Sequence, residues 1–144
     1  MRVWSWIVVI VALVVLSSAV AVRAQAQQGR GSGSGWTLPA GAKDEKNPLT
    51  VNEAVIAAGR KLFLSKCQRC HGAQGKGDGP DADKTHLHHM NLTLAANAAA
   101  NPDGVVFHKI WNGRSSPKMP RFSDELTKDQ AWALVAYVQT LRAK

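Results

Sequence analysis

The chain has 144 residues, 45% of them hydrophobic, and eighteen basic residues against ten acidic ones give a formal net charge of +8. That length holds one domain around one core, and the apolar share excludes a wholly disordered chain. A positive excess favours acidic protein surfaces or anionic lipid as partners, although simple solubility explains it as well, and no nucleic-acid-binding module is visible.

The first segment, "MRVWSWIVVIVALVVLSSAVAVRAQAQ", has an early arginine, an apolar run from Val3 to Leu16 broken only by Ser5, and then small residues. Val22-Arg23-Ala24 and Ala24-Gln25-Ala26 both place small residues where a signal peptidase reads. Residues 1–24 are therefore expected to be a secretory signal peptide. The competing reading is an uncleaved anchor, because Val3 to Val22 approaches the about 20 apolar residues that cross a bilayer. Either reading exports the remainder to the periplasm. Cleavage would remove Arg2 and Arg23, leaving sixteen basic against ten acidic residues, a net +6.

Residues 25–48 are rich in Gly, Ser and Gln without an apolar period, and are expected to be a flexible linker. The folded domain is expected over 49–144. Thr50 and Glu53 have the spacing of a capping box, opening a helix through "AVIAAGRKLFLSKC". Gly59 and Phe63 fall one turn apart on one face. A glycine inside a helix costs about 1 kcal/mol against alanine, which points to a close backbone approach there. A Gly- and Asp-rich loop follows, then a short helical stretch around Leu92 to Ala99. "NPDGVVFHKIWNG" predicts a further helix with Asn101 as N-cap, Pro102 at the first helical position and Gly113 as the stop. After an irregular segment to Phe122, Thr127 and Gln130 form a second capping box. Ala131, Leu134, Val135, Val138 and Leu141 then make a helical apolar stripe. No stretch alternates with period two, so the fold class is all-α.

Both cysteines lie in "CQRCHG", residues 67–72. A structural zinc site needs four ligands, commonly two pairs, and there is no second cysteine pair. A thioredoxin-like dithiol needs a strand feeding a helix, and here a helix leads in. A disulfide across so small a loop would stabilise little. Cys-x-x-Cys-His is the attachment signature for c-type haem: on a helical turn Cys67, Cys70 and His71 project from one face, two thiols for the vinyl groups and an imidazole beneath the iron.

The chain resembles a monohaem cytochrome c of the Class I type over roughly residues 49 to 142. The resemblance is carried by "GRKLFLSKCQRCHGAQGKGDGP", by "IWNGRSSPKMPRF" and by "LVAYVQTL". It implies a cytochrome c fold of three to five helices wrapped around one covalently attached haem. It also implies that Gly59 and Phe63 pack against Leu134 and Tyr137 where first and last helices cross. His71 is the proximal ligand by motif and by resemblance, and its second ring nitrogen needs an acceptor. The resemblance assigns that role to the carbonyl of Pro80 in "GDGP", with Gly75, Gly77 and Gly79 turning the loop against the haem edge.

For the sixth position the sequence offers Met119, Met90 and a histidine. Met119 lies between Pro117 and Pro120, which stiffen an otherwise irregular basic loop, and the resemblance points to the same residue. "HLHHMN" clusters His86, His88, His89 and Met90, which reads as a solvated loop or, more sharply, as a metal site or a ligand that replaces Met119. Phe107, Ile110 and Trp111 are expected to line the haem pocket or fill the core, with Trp111 a candidate donor to a propionate. Arg114, Lys118 and Arg121 surround Met119 and are expected either to be solvated or to form a positive docking rim.

Histidine plus methionine ligation raises the haem potential and leaves no open position for a substrate. The leading reading is therefore a non-enzymatic one-electron carrier. Its partners would be redox proteins such as a dehydrogenase, a membrane complex or an oxidase, and it would act as a soluble or membrane-tethered monomer. Two other readings are a gas- or peroxide-reactive haem protein with a displaceable Met119, and a haem subunit of an oxidoreductase complex.

Overall fold

The structure, a computed structural model, describes residues 35–142. The expected signal segment and the first part of the expected linker lie outside the described residues. Six α-helices follow in chain order, without a strand among the described residues: α1 (Glu53–Lys66), α2 (Gln68–His71), α3 (Leu87–Met90), α4 (Ala95–Ala100), α5 (Asp103–Asn112) and α6 (Lys128–Thr140). A 3-10 turn at Lys84–His86 leads into α3. The count exceeds the expected three to five because α2 and α3 are single turns of four residues.

α1 starts two residues later than a Thr50 cap would place it. Asn52 is the N-cap, and its side-chain oxygen accepts from Val55 N at 3.0 Å. Asn is as good a cap as Thr and stands closer, so Glu53 becomes the first helical residue and the expected Thr50–Glu53 box does not form. A one-residue displacement occurs at α5, where Pro102 is the N-cap and Asn101 lies outside the helix. At α6 the expected box is present in full. Gln130 N donates to Thr127 Oγ1 at 3.2 Å, and Thr127 N donates to Gln130 Oε1 at 2.9 Å.

α1 crosses α6, and the crossing depends on Gly59. A Cβ there would lie 2.0 Å from the Ala133 carbonyl oxygen and 2.9 Å from Tyr137 Cβ. One turn on, the fully buried Phe63 meets Tyr137 with ring centroids 5.3 Å apart. Burying a side chain of this size is worth about 1.5–3 kcal/mol. α6 is buried on every side from Ala131 to Val138 rather than along one stripe. On the flank away from α1, Phe107 of α5 stacks on Trp132 at 4.2 Å and on Trp111 at 5.5 Å.

The third surface that covers α6 and α5 was expected to be linker. Residues 36–47 instead pack onto the domain. Asn47 Nδ2 donates to the Trp132 carbonyl at 3.0 Å, and Gly104 N donates to the Glu45 carbonyl at 3.1 Å. His108 Nε2 lies 2.8 Å from Glu45 Oε2, and Ala42 is buried. These hydrogen bonds are made by polar side chains and by backbone groups of an irregular segment, which needs no apolar period. No helix among the described residues is long and apolar enough to cross a membrane.

Candidate cofactor site

α2 is the turn that carries the cysteine motif. The Cys67 carbonyl accepts from both Cys70 N, at 3.2 Å, and His71 N, at 2.9 Å, so the two thiols and the imidazole share one turn. Neither cysteine is in a disulfide. Burial pushes the Cys67 thiol up to about 12, with Cys70 adding to the effect and Lys66 opposing it. A thiol so reluctant to ionise is unlike the low-pKa thiolate of a dithiol oxidoreductase.

The acceptor for His71 Nδ1 is the Met90 carbonyl, at 2.7 Å, and not the carbonyl of Pro80. The Gly-rich loop explains the difference. Lys76 and Asn91 form an antiparallel bridge and Leu92 N donates to the Gly75 carbonyl at 2.7 Å, which lays Met90 against the histidine. Gly77 makes this contact close enough: with φ +78°, its missing Cβ would be 2.9 Å from Asn91 N and 3.0 Å from Met90 Cβ. Pro80 is exposed, in a turn pinned instead to α2 by Asp81 N donating to the Arg69 carbonyl at 2.8 Å. A carbonyl can only accept, so Nδ1 carries the proton and Nε2 keeps its lone pair. Burial of the imidazole holds its pKa below the ordinary value, with the Met90 hydrogen bond pulling the other way.

Met119 is half-buried, and its backbone is paired twice with Arg114. Arg114 N donates to Met119 O at 2.9 Å and Met119 N donates to Arg114 O at 3.0 Å. This bridge, beyond the flanking prolines, fixes the loop after α5. Cys67, His71 and Met119 all line a cavity of about 230 Å³. Phe63, Leu92, Val106, Ile110, Leu134 and Val138 supply its apolar walls. Cys70 lines a smaller adjoining cavity, also with Cys67, His71 and Met119.

Of the three α5 residues expected at the pocket, Ile110 reaches it, whereas Phe107 and Trp111 belong to the stack with Trp132. The expected rim around Met119 is reduced. Arg121 is exposed but paired with Asp124 at 2.6 Å, Arg114 is half-buried and lines the cavity, and Lys118 is exposed. His88 and His89 also line the cavity, with rings 3.9 Å apart, so they are more than a solvated loop. His86 is held on Asp83 at 2.8 Å. No group of three or more His, Cys, Asp or Glu among the described residues could hold a metal ion. Trp36, which no motif or spacing singles out, lines both cavities.

The sequence profile of the cytochrome c family matches residues 56–142. The chain belongs to the cytochrome c family. Its cofactor is a covalently bound c-type haem. The residues fit the group: two free thiols on one turn, an imidazole with its lone pair free, a thioether on the same cavity, and apolar walls for the ring. The cytochrome is similar to a chain of a reducing HAO-like protein complex from Kuenenia stuttgartiensis, at 29% sequence identity and TM-score 0.51, over 67% of this chain and 49% of that one. It thus spans about half the length of that relative. No curated protein matches it.

Proposed function

We propose that this cytochrome is a one-electron carrier whose haem is joined through Cys67 and Cys70 and ligated axially by His71 and Met119. The observation that carries the reading is the placement of Cys67, His71 and Met119 on one apolar cavity, with His71 Nδ1 committed to the Met90 carbonyl. The haem, when bound, supplies the iron that takes up and releases one electron. The protein's part is positional. The Met90 hydrogen bond fixes the tautomer and ring orientation of His71 and raises its basicity. The Arg114–Met119 bridge presents the thioether from a closed loop, so little ordering is needed on ligation. With both axial positions filled, electron transfer rather than substrate turnover is the task.

The N-terminal segment supports export to the periplasm, with or without a retained anchor. The likeness to a chain of a multi-protein redox complex favours a second form of the same activity, as the haem subunit of an oxidoreductase. The test is a reduced-minus-oxidised absorption spectrum and an intact mass on periplasmic material. The expected result is a low-spin c-type spectrum with sulfur ligation and a mass carrying one haem. Pigment that acid–organic extraction strips from the protein would end the reading. Co-purification of a second redox protein separates the subunit from the free carrier.

A further inference from the structure

One end of the cavity is built for negative charge. Lys109, Arg114 and Arg142 all line it, and no Asp or Glu does among the described residues. Lys109 Nζ donates to Asn101 Oδ1, and Arg142 Nη1 donates to the Asn101 carbonyl at 2.8 Å and to Gln139 Oε1 at 3.0 Å. These acceptors are neutral. The acid that acts on Arg142 is Asp103, whose carboxylate is itself hydrogen-bonded to Gln139 Nε2 at 2.8 Å and to Asn47 N at 3.4 Å. Burial, followed by repulsion from Arg114 and Arg142, pushes Lys109 down to about 8. Gathering like charges away from water is costly unless an anion joins them.

Trp36 organises this end. Its ring carries the Arg114 guanidinium carbon at 4.2 Å and Lys109 Nζ at 5.1 Å. Both distances suit cation–π contact. The residue lies on the packed segment 36–47, before the family match begins at residue 56.

We propose that Lys109, Arg114 and Arg142 receive the carboxylate edge of the haem, and that Trp36 is a positioning residue that braces two of these cations and closes that end of the cavity. The proposal rests on the haem c reading above. It makes the segment before the family match part of the cofactor site. Cations held against the carboxylates offset negative charge near the iron, and a closed end keeps water away from it. Both effects disfavour the more positive oxidised iron, so both raise the reduction potential.

The test compares the haem-loaded parent with W36A, W36F, K109M and the W36A/K109M double variant by intact mass, visible spectrum and spectroelectrochemical titration. W36A and K109M are expected to keep one covalent haem and the parent's ligand spectrum while shifting to lower potential. W36F, which keeps an aromatic face, is expected nearer the parent. The double variant is expected to shift by less than the sum of the two single shifts, because Trp36 acts partly through Lys109. An unshifted W36A, a W36F as low as W36A, or strictly additive shifts would overturn the proposal. If W36A does not fold, K109M and R142M carry the test, and no shift in either overturns it. A parent without covalent haem sinks the earlier reading as well, whereas a loaded parent with unshifted variants sinks this proposal alone.

Discussion

The Cβ that Gly59 lacks would stand 2.0 Å from the carbonyl oxygen of Ala133. First and last long helices therefore meet backbone to backbone at this point. Gly59→Ala gains about 0.5–1 kcal/mol of helix propensity but forces α1 off α6. The overpacking term is the larger, so a net loss of about 2 kcal/mol or more is expected in denaturant unfolding. An unchanged or raised midpoint would show that the helices can part without cost.

Met119→Ala removes the thioether while leaving the Arg114 backbone bridge available. The oxidised protein is expected to lose sulfur-to-iron absorption, the potential is expected to fall, and the reduced form is expected to bind carbon monoxide without denaturant. Retention of the parent spectrum would move the sixth ligand elsewhere, with His88 and His89 the first residues to replace next.

Gly77→Ala tests the Met90 carbonyl. A Cβ at Gly77 collides with Met90 and Asn91 and is strained at φ +78°, so the bridge between Lys76 and Asn91 must open. The His71 imidazole then loses its acceptor and donates less to the oxidised iron. The expected outcome is a higher potential and a loss of stability of about 1–3 kcal/mol. A potential equal to the parent's would mean that Met90 does not tune the histidine.

Asp83 gives a prediction in pH. Hydrogen bonds from the Thr85 hydroxyl, His86 and Thr85 N lower its carboxyl from 3.8 to about 2. A depressed folded pKa contributes stability above the unfolded value and loses it as pH falls through the folded one. The stability difference between the parent and Asp83→Asn should thus be constant above pH of about 4 and shrink towards a pH of about 2. Acid titrations that run parallel through that window would contradict the assignment.

What could be read from the sequence was mostly local. Cys67, Cys70 and His71 declare their chemistry by spacing alone, and Thr127 with Gln130 caps α6 as its pattern dictates. Gly59 could be read too, because its intrinsic cost demands a neighbour. The acceptor for His71 could not, because it depends on a bridge between residues fifteen positions apart, Lys76 and Asn91. Thr50 and Asn101 misled by one or two residues because a better-placed Asn52 or Pro102 took the cap. Residues 36–47 look like linker because charged and small residues make up most of them and no apolar period runs through them. Their hold on the domain runs through the Glu45 carbonyl and the Asn47 amide, which leave no mark on apolar periodicity.

The cavity takes Phe63 from α1 and Leu134 and Val138 from α6, so its walls are contributed by distant stretches of one polypeptide. If the chain is exported as proposed above, its N-terminus first, it would offer the attachment cysteines well before that enclosure can close. Haem-joining machinery would meet an accessible motif, and burial would follow only when the final helix docks. A version cut short before Lys128 should accordingly still acquire its pigment yet leave it open to solvent, and failure to acquire it would mean that closure must come first.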